Sequence, residues 1–163
     1  MRRLIFTVHG EALPAGSKQS YPVLDRQGEV VRTKTGRLLT RAKHANPKTA
    51  DWMGHVATVA GEAMGGAPLF TGPVKLCLTF FRPRPTSHFG SGRNALVLKE
   101  SAPALPTTRP DATKLTRAVE DSLKGIVWRD DSQVTSLEVG KRYGENYRVE
   151  IAVEEDDCDV VGA

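Results

Sequence analysis

Apolar and polar residues alternate at three places along the chain and recur at helical spacing at two. Residues 2–9, RRLIFTVH, set Leu4, Phe6 and Val8 against Arg3, Ile5 and Thr7, the period-two signature of an opening strand. Asn46-Pro47 is an N-cap followed by proline at the first helical position. From there Trp52, Val56, Val59, Ala60 and Ala63 keep helical spacing until Gly65-Gly66 ends the run. After Gly72-Pro73, Val74, Leu76, Leu78 and Phe80 share one face of a strand. A second helix opens at Pro110-Asp111 with Leu115, Ala118, Val119, Ser122 and Leu123 on one face, and Gly125 stops it. Two strands follow, Gln133–Arg142 and Tyr147–Val153, and the turn Gly144-Glu145-Asn146 between them suits a hairpin.

The segments between these elements are less regular. Residues 10–45 are rich in Gly, Pro, Ser and bases, with one short hairpin expected around Asp25-Arg26-Gln27-Gly28. Residues 82–109 have no period, and a loop of that length inside a domain is usually functional or disordered. The order β-α-β-(long loop)-α-β-β predicts an α+β domain with a mixed sheet and two main helices. The length of 163 residues suits one domain, 1–153, followed by a frayed acidic tail, 154–163.

Composition narrows the classes. Hydrophobic residues make up 39% and charged residues 26%, which fits a folded soluble protein. No apolar run is long enough to cross a bilayer, and the apolar start is too short for a signal-peptide core, so neither a membrane protein nor a secreted one is expected. Cys77 and Cys158 belong to no CxxC pair, which excludes a cysteine zinc site or a disulfide framework and fits a reducing cytoplasm. Charge is unevenly placed. Residues 1–109 carry 16 basic and 6 acidic side chains; residues 110–163 carry 7 and 13. A basic front half beside an acidic back half suggests a surface for polyanions next to a site that collects carboxylates.

The chemistry concentrates in Arg109–Val134. Asp111 lies at a helix start, and Asp130-Asp131 lies in the turn after an apolar Ile126-Val127-Trp128 run. If the chain reverses so that these points meet, three carboxylates form the oxygen cluster that a hard divalent cation requires. An N-cap for Asp111 and a solvated turn for Asp130-Asp131 are the structural alternatives. His9, His44, His55 and His88 share no ligand spacing, and no phosphate-binding glycine pattern occurs. Trp52, Phe80 and Trp128 read as core.

The same block resembles the signature of RusA-type Holliday junction resolvases, the crossover junction endodeoxyribonucleases often carried by phages and prophages. Their pattern is Asp-x-Asp-Asn or Asp-x-Asp-Lys opening a helix, a basic residue one turn later, then an aromatic before Asp-Asp-x-Gln-Val/Ile. Here those positions read Asp111-Ala112-Thr113-Lys114, Arg117, and Trp128-Arg129-Asp130-Asp131-Ser132-Gln133-Val134. Gly16-Ser17-Lys18, Phe81-Arg82-Pro83-Arg84-Pro85, His88, Gly92-Arg93-Asn94 and Ser101-Ala102-Pro103 extend the similarity, which is to the actinobacterial-phage branch.

The resemblance implies a metal-dependent endonuclease that hydrolyses phosphodiesters in Holliday junctions and other branched DNA by paired nicks. It implies a homodimer matched to a two-fold symmetric four-way junction. It implies Mg²⁺, with Mn²⁺ as an alternative, held by Asp111, Asp131, Asp130 and Thr113. Arg117 or Lys114 would stabilise charge in the transition state. Bases in Lys18–Lys48 and in the 82–109 loop, Lys18, Arg82, Arg84 and Arg93 among them, would bind phosphates without reading sequence. Thr113 departs from the pattern, which has a second Asp there. That leaves two rivals: a catalytically weakened junction-binding protein, and a basic nucleic-acid-binding domain whose Asp cluster is structural.

Overall fold

The computed structural model describes residues 1–16, 18–44 and 46–156, with 18–19 and 42–44 described by their backbone alone. Ser17 and Cys158 therefore lie outside the described residues. The elements in chain order are β1 (Arg3–His9), β2 (Lys18–Pro22), β3 (Thr40–His44), α1 (Pro47–Met64), β4 (Val74–Arg82), α2 (Ala112–Leu123), β5 (Val134–Tyr143) and β6 (Arg148–Glu155). The Asn46 side chain accepts the Lys48 N–H at 3.0 Å, and Gly65 closes α1 in the left-handed region at φ 54°. Within α1 the buried stripe is Thr49, Trp52, Val56, Ala60 and Met64; Ala63 is exposed, and the last inward position falls one residue later than its spacing suggested.

Four strands form one mixed sheet in the order β1-β6-β4-β5, with β4 and β5 parallel and the other pairs antiparallel. β1 and β4 consequently run parallel, with β6 inserted between them. The chain makes two parallel crossovers in the same direction across the sheet, β1-α1-β4 and β4-α2-β5. Crossovers of one hand put both helices on one face. That face holds a single core: Phe6 and Val8 from β1, Leu76, Leu78 and Phe80 from β4, Val149, Ile151 and Val153 from β6, and Leu115, Val119 and Leu123 from α2. Each fully buried Leu or Val contributes about 1.5–3 kcal/mol relative to exposure, so the apolar stripe of α2 is what fastens it to the sheet. The opposite face carries charge pairs, Arg3–Glu154 at 2.6 Å, Lys75–Glu138 at 3.3 Å and Arg148–Glu150 at 3.0 Å.

Several expectations are corrected. β5 and β6 are not a hairpin, because β4 lies between them. Residues 144–147 instead step over the end of β4, where the Gly144 N–H donates to Arg82 O at 3.0 Å. The approach is so close that a Cβ on Gly144 would meet Phe81 Cδ1 at 3.1 Å, which explains glycine there. Residues 18–44 form more than one short hairpin. β2 and β3 pair antiparallel, and beyond them the chain forms two local hairpins, the expected one around Asp25–Gly28, closed by the bridge Leu24–Val30, and a second closed by the bridge Arg32–Leu38. The 82–109 loop is not structureless. It has 3₁₀ turns at Thr86–His88 and Gly92–Asn94, a bridge between Phe89 and Leu98, and a Lys99 N–H bond to His88 O at 2.9 Å. The first acids of the expected tail belong to the sheet. Glu154 pairs with Arg3, Glu155 Oε2 accepts the Arg2 N–H at 2.7 Å, and Asp156 accepts the Thr135 hydroxyl at 2.6 Å.

Candidate nuclease site

The sequence-predicted acids stand at the two ends of α2. Asp111 occupies its N-cap position at the carboxyl ends of β4 and β5, whereas Asp130 and Asp131 lie just before β5 begins. With twelve residues rising 1.5 Å each, the two ends are separated by roughly 18 Å.

Asp111 has N-cap backbone geometry, but its carboxylate makes no capping hydrogen bond. The N-cap alternative for Asp111 therefore holds for its backbone and not for its side chain. It is exposed, with Lys114 Nζ at 3.6 Å from Oδ2. What fixes Asp111 is the segment leading into it. Lys141 Nζ donates to Thr108 O at 2.8 Å and Pro110 O at 3.0 Å; Arg82 Nη1 donates to Thr108 Oγ1 at 3.1 Å and Arg109 O at 3.0 Å. A cleft of about 410 Å³ opens beside it, lined by Glu11, Arg109, Asp111 and Lys114 among others.

At the other end of α2 the acidic pair is built into a short turn. Asp130 accepts the Ser132 N–H at 3.1 Å and Lys124 Nζ at 2.7 Å. The Lys124 contact, then the Ser132 N–H, hold its carboxyl down at about 2; the same contact raises Lys124 above the ordinary lysine value. Asp131 is less exposed. Its Oδ1 accepts the indole N–H of the fully buried Trp128 at 3.1 Å, and its Oδ2 is 3.6 Å from Lys124 Nζ.

Gln133 explains the glutamine of the motif. Its Oε1 accepts the N–H groups of Arg129 at 2.9 Å and Asp130 at 3.1 Å, while Nε2 donates to Phe70 O at 3.0 Å and Gly72 O at 2.9 Å. One side chain thus ties the Asp-Asp turn to the strand-like segment before β4.

Between the two ends runs a groove of about 470 Å³ with Thr113, Arg117 and Glu120 of α2 on one side and Leu137 and Val139 of β5 on the other. Arg117 and Thr113 are exposed here. Glu120 is half-buried and titrates above the ordinary carboxylate range, first because of burial, then because of the negative charges of Asp131 and Asp121. Sequence reasoning passed over Glu120, Lys124, Gln133 and Lys141. The spacing Lys114, Arg117, Glu120-Asp121, Lys124 marks one polar helix face, which could have drawn attention to Glu120 and Lys124. The bonds of Lys141 are long-range and leave no local signal.

The expected DNA-contacting bases divide in two. Arg93, Lys114 and Arg117 are exposed, and the Lys18 side chain lies outside the description. Arg82 and Arg84 work inside the protein. Arg84 Nη1 donates to Pro103 O at 2.9 Å, and its guanidinium lies 4.1 Å from the centre of the Tyr143 ring.

A hard cation fits the donors by type. The acids are oxygen ligands, and the Lys124 ammonium lodged against Asp130 and Asp131 demonstrates that this pair accepts a positive charge. By number they fall short: among the described residues no three acidic, His or Cys side chains gather closely enough to hold a metal ion. Within one chain the three acids stand as a single carboxylate, Asp111, and a pair, Asp130 and Asp131, at opposite ends of α2.

The family model described as Endodeoxyribonuclease RusA matches residues 22–154. The chain belongs to the RusA endodeoxyribonuclease family. The match takes in Asp111, Arg117, Asp130, Asp131 and Gln133, and both clusters around α2 fall inside it. The uncharacterized protein YqaN of Bacillus subtilis (strain 168) is 35% identical over 101 residues, covering 62% of this chain and 70% of that protein. Among the described residues no helix is long and apolar enough to cross a membrane.

Proposed function

We propose that this member of the family is a metal-dependent endonuclease that resolves four-way DNA junctions by paired nicks, acting as a homodimer with Mg²⁺ or Mn²⁺. The observation that carries the proposal is the family match over the block containing both acidic clusters. The separation of those clusters supports the dimer. A two-fold axis crossing α2 would bring its Asp111 end against the opposite end of a second copy, where Asp131 of the partner subunit stands. Two sites related by one axis suit two symmetric nicks. The exposed Leu137 of edge strand β5 lies beside this groove and is a natural part of such a contact.

In this reading Asp111, Thr113, Asp130 and Asp131 hold the cation. The metal supplies Lewis-acid polarisation of the scissile phosphate and lowers the pKa of an attacking water. Trp128 and Gln133 orient the Asp131 turn, and Lys141 and Arg82 orient Asp111. Arg117, exposed midway along α2, would neutralise charge developing on the phosphate. Thr113, a neutral side chain where the family pattern has a second Asp, favours a second reading, a junction-binding protein with weakened catalysis. One assay decides: incubation with a synthetic four-way junction, with and without Mg²⁺ or Mn²⁺, against linear duplex. Metal-dependent paired nicks in the junction support the enzyme, whereas tight junction binding with no cleavage in either metal supports the second reading.

A further inference from the structure

We infer that the β2–β3 ribbon, residues 18–44, is a clamp for the phosphates of duplex DNA flanking the branch point, and that it, rather than the 82–109 loop, carries most of the salt-sensitive binding. The inference rests on the DNA-directed reading above and is independent of the metal. β2 and β3 pair over five residues each, Lys18–Pro22 with Thr40–His44, roughly 17 Å, and the far end carries two short hairpins closed by the bridges Leu24–Val30 and Arg32–Leu38. Its two roots are fastened together on the body of the protein. The Ala15 N–H donates to Lys114 O at 2.9 Å in the first turn of α2, and the Thr49 hydroxyl in α1 reaches Pro14 O at 3.4 Å.

Arg26, Arg32, Lys34, Arg37 and Arg41 are all exposed, and among the described residues none of them is in an ion pair. The ribbon has only two acids to offset them, Asp25 and Glu29. Asp25 is committed to its turn, where Oδ1 accepts the Gln27 and Glu29 N–H groups at 2.9 Å each. Several carboxylates of the acidic half are used locally: Glu138 on Lys75, Glu150 on Arg148, Glu154 on Arg3, Asp130 on Lys124. Five exposed bases along one arm match the dense row of charge that a phosphate backbone presents. Three of the loop's five bases are poor competitors, which leaves Arg93 and Arg109 against the ribbon's five, of which Arg32 donates from Nη1 to Gly36 O at 2.9 Å. Arg82 and Arg84 already satisfy carbonyls at Arg109 and Pro103, and Lys99 Nζ bonds Ser87 O at 2.8 Å.

The test uses the full chain in EDTA, a short linear duplex and a four-way junction as separate probes, and affinity measured over a range of salt. Replacing the five bases with Gln (R26Q, R32Q, K34Q, R37Q, R41Q) is expected to flatten the slope of log affinity against log salt by about 4 for both probes, since each phosphate contact contributes about 0.9. Restoring charge as Lys at the four Arg positions should restore the slope. Arg82→Gln with Arg84→Gln should leave it within about one unit. An unchanged slope in the five-base variant overturns the inference. So does conversion of a DNA-free dimer to monomer by that variant, which would make the ribbon an interface between copies. A measurement on the unaltered chain guards against a variant that does not fold: saturating duplex should slow tryptic cleavage after Arg26, Arg32 and Arg37, and equal cleavage with and without duplex also overturns the inference. If the unaltered chain binds neither probe, the proposed function itself fails; if it binds and only the variant results disagree, the clamp alone fails.

Discussion

Gln133 offers the sharpest quantitative test of how the acidic turn is held. Gln133→Met keeps chain length and removes all four hydrogen bonds at once. Arg129, Asp130 and Gly72 are exposed, so water replaces those three partners, and each bond's net loss is about 0.5–1 kcal/mol. Phe70 is only 1% exposed, and stranding its carbonyl costs about 1–3 kcal/mol. The total is roughly 4 kcal/mol, and for a domain of this size that is a fall in Tm of about 8–16 °C. Urea unfolding should show a lower midpoint with an unchanged m-value, meaning that stability and not the denatured state has altered. Gln133→Glu adds a sign test. Its carboxylate would face the carbonyl oxygens of Phe70 and Gly72, so its folded pKa rises above the unfolded one. That variant should be most stable at low pH and lose stability as pH rises through the raised pKa. A Met variant that loses less than about 1 kcal/mol would refute the account of Gln133 as the turn's main tie.

Three further outcomes are expected. Asp111→Asn and Asp131→Asn should each abolish junction cleavage while leaving binding in EDTA intact or tighter, and Thr113→Asp should strengthen activity or Mg²⁺ affinity; wild-type cleavage by Asp131→Asn would remove Asp131 from the site. In metal-free protein the Asp130 carboxyl should titrate at about 2 by NMR, so the stability it lends is present above the ordinary value of 3.8 and is lost as pH falls through about 2; Lys124→Met should return it toward the ordinary range, and no movement would mean that Lys124 is not the cause. Light scattering at micromolar concentration should give a dimer with and without junction, and a monomer in both states would discard the two-copy site.

Much of the fold was written in apolar spacing. The inward residues of β4, of α2 and of β6 fall where periodicity put them, because each of these elements has one face on a single core. The pairing of strands was not legible. A short turn between two strands reads as a hairpin whether or not a third strand lies between them, and only the close contact of Gly144 with Phe81 betrays that β4 does. The β2–β3 ribbon escaped for a related reason: none of its described side chains is buried, so its sequence lacks the alternation that burial imposes. The 82–109 loop looked free because its order comes from carbonyls bonded to Arg82, Arg84, Lys99 and Lys141, none of which has a sequence period.

The site was legible as residue types and illegible as geometry. An Asp at a helix start and an Asp-Asp pair after the helix can be read from spacing, and so can the length of the helix between them. A helix is a rigid rod, however, and its two ends cannot approach each other within one chain however the following turn is arranged. The turn after α2 does reverse the chain, but it brings Asp131 back to Lys124 and Glu120 at the C-terminal end and not to Asp111. For these acids to share one cation, something other than the turn must close the distance. A second copy laid antiparallel along the groove would do so without bending α2, and it would leave the same arrangement at both ends of the pair. Asp111→Asn mixed in excess with Asp131→Asn then has a distinctive expectation: heterodimers recover one intact site out of two, so the mixture cleaves although neither parent does, with single nicks in place of paired ones. A mixture as inactive as its parents, in samples shown to exchange subunits, would require both acids to act within one chain, against the separation that α2 imposes.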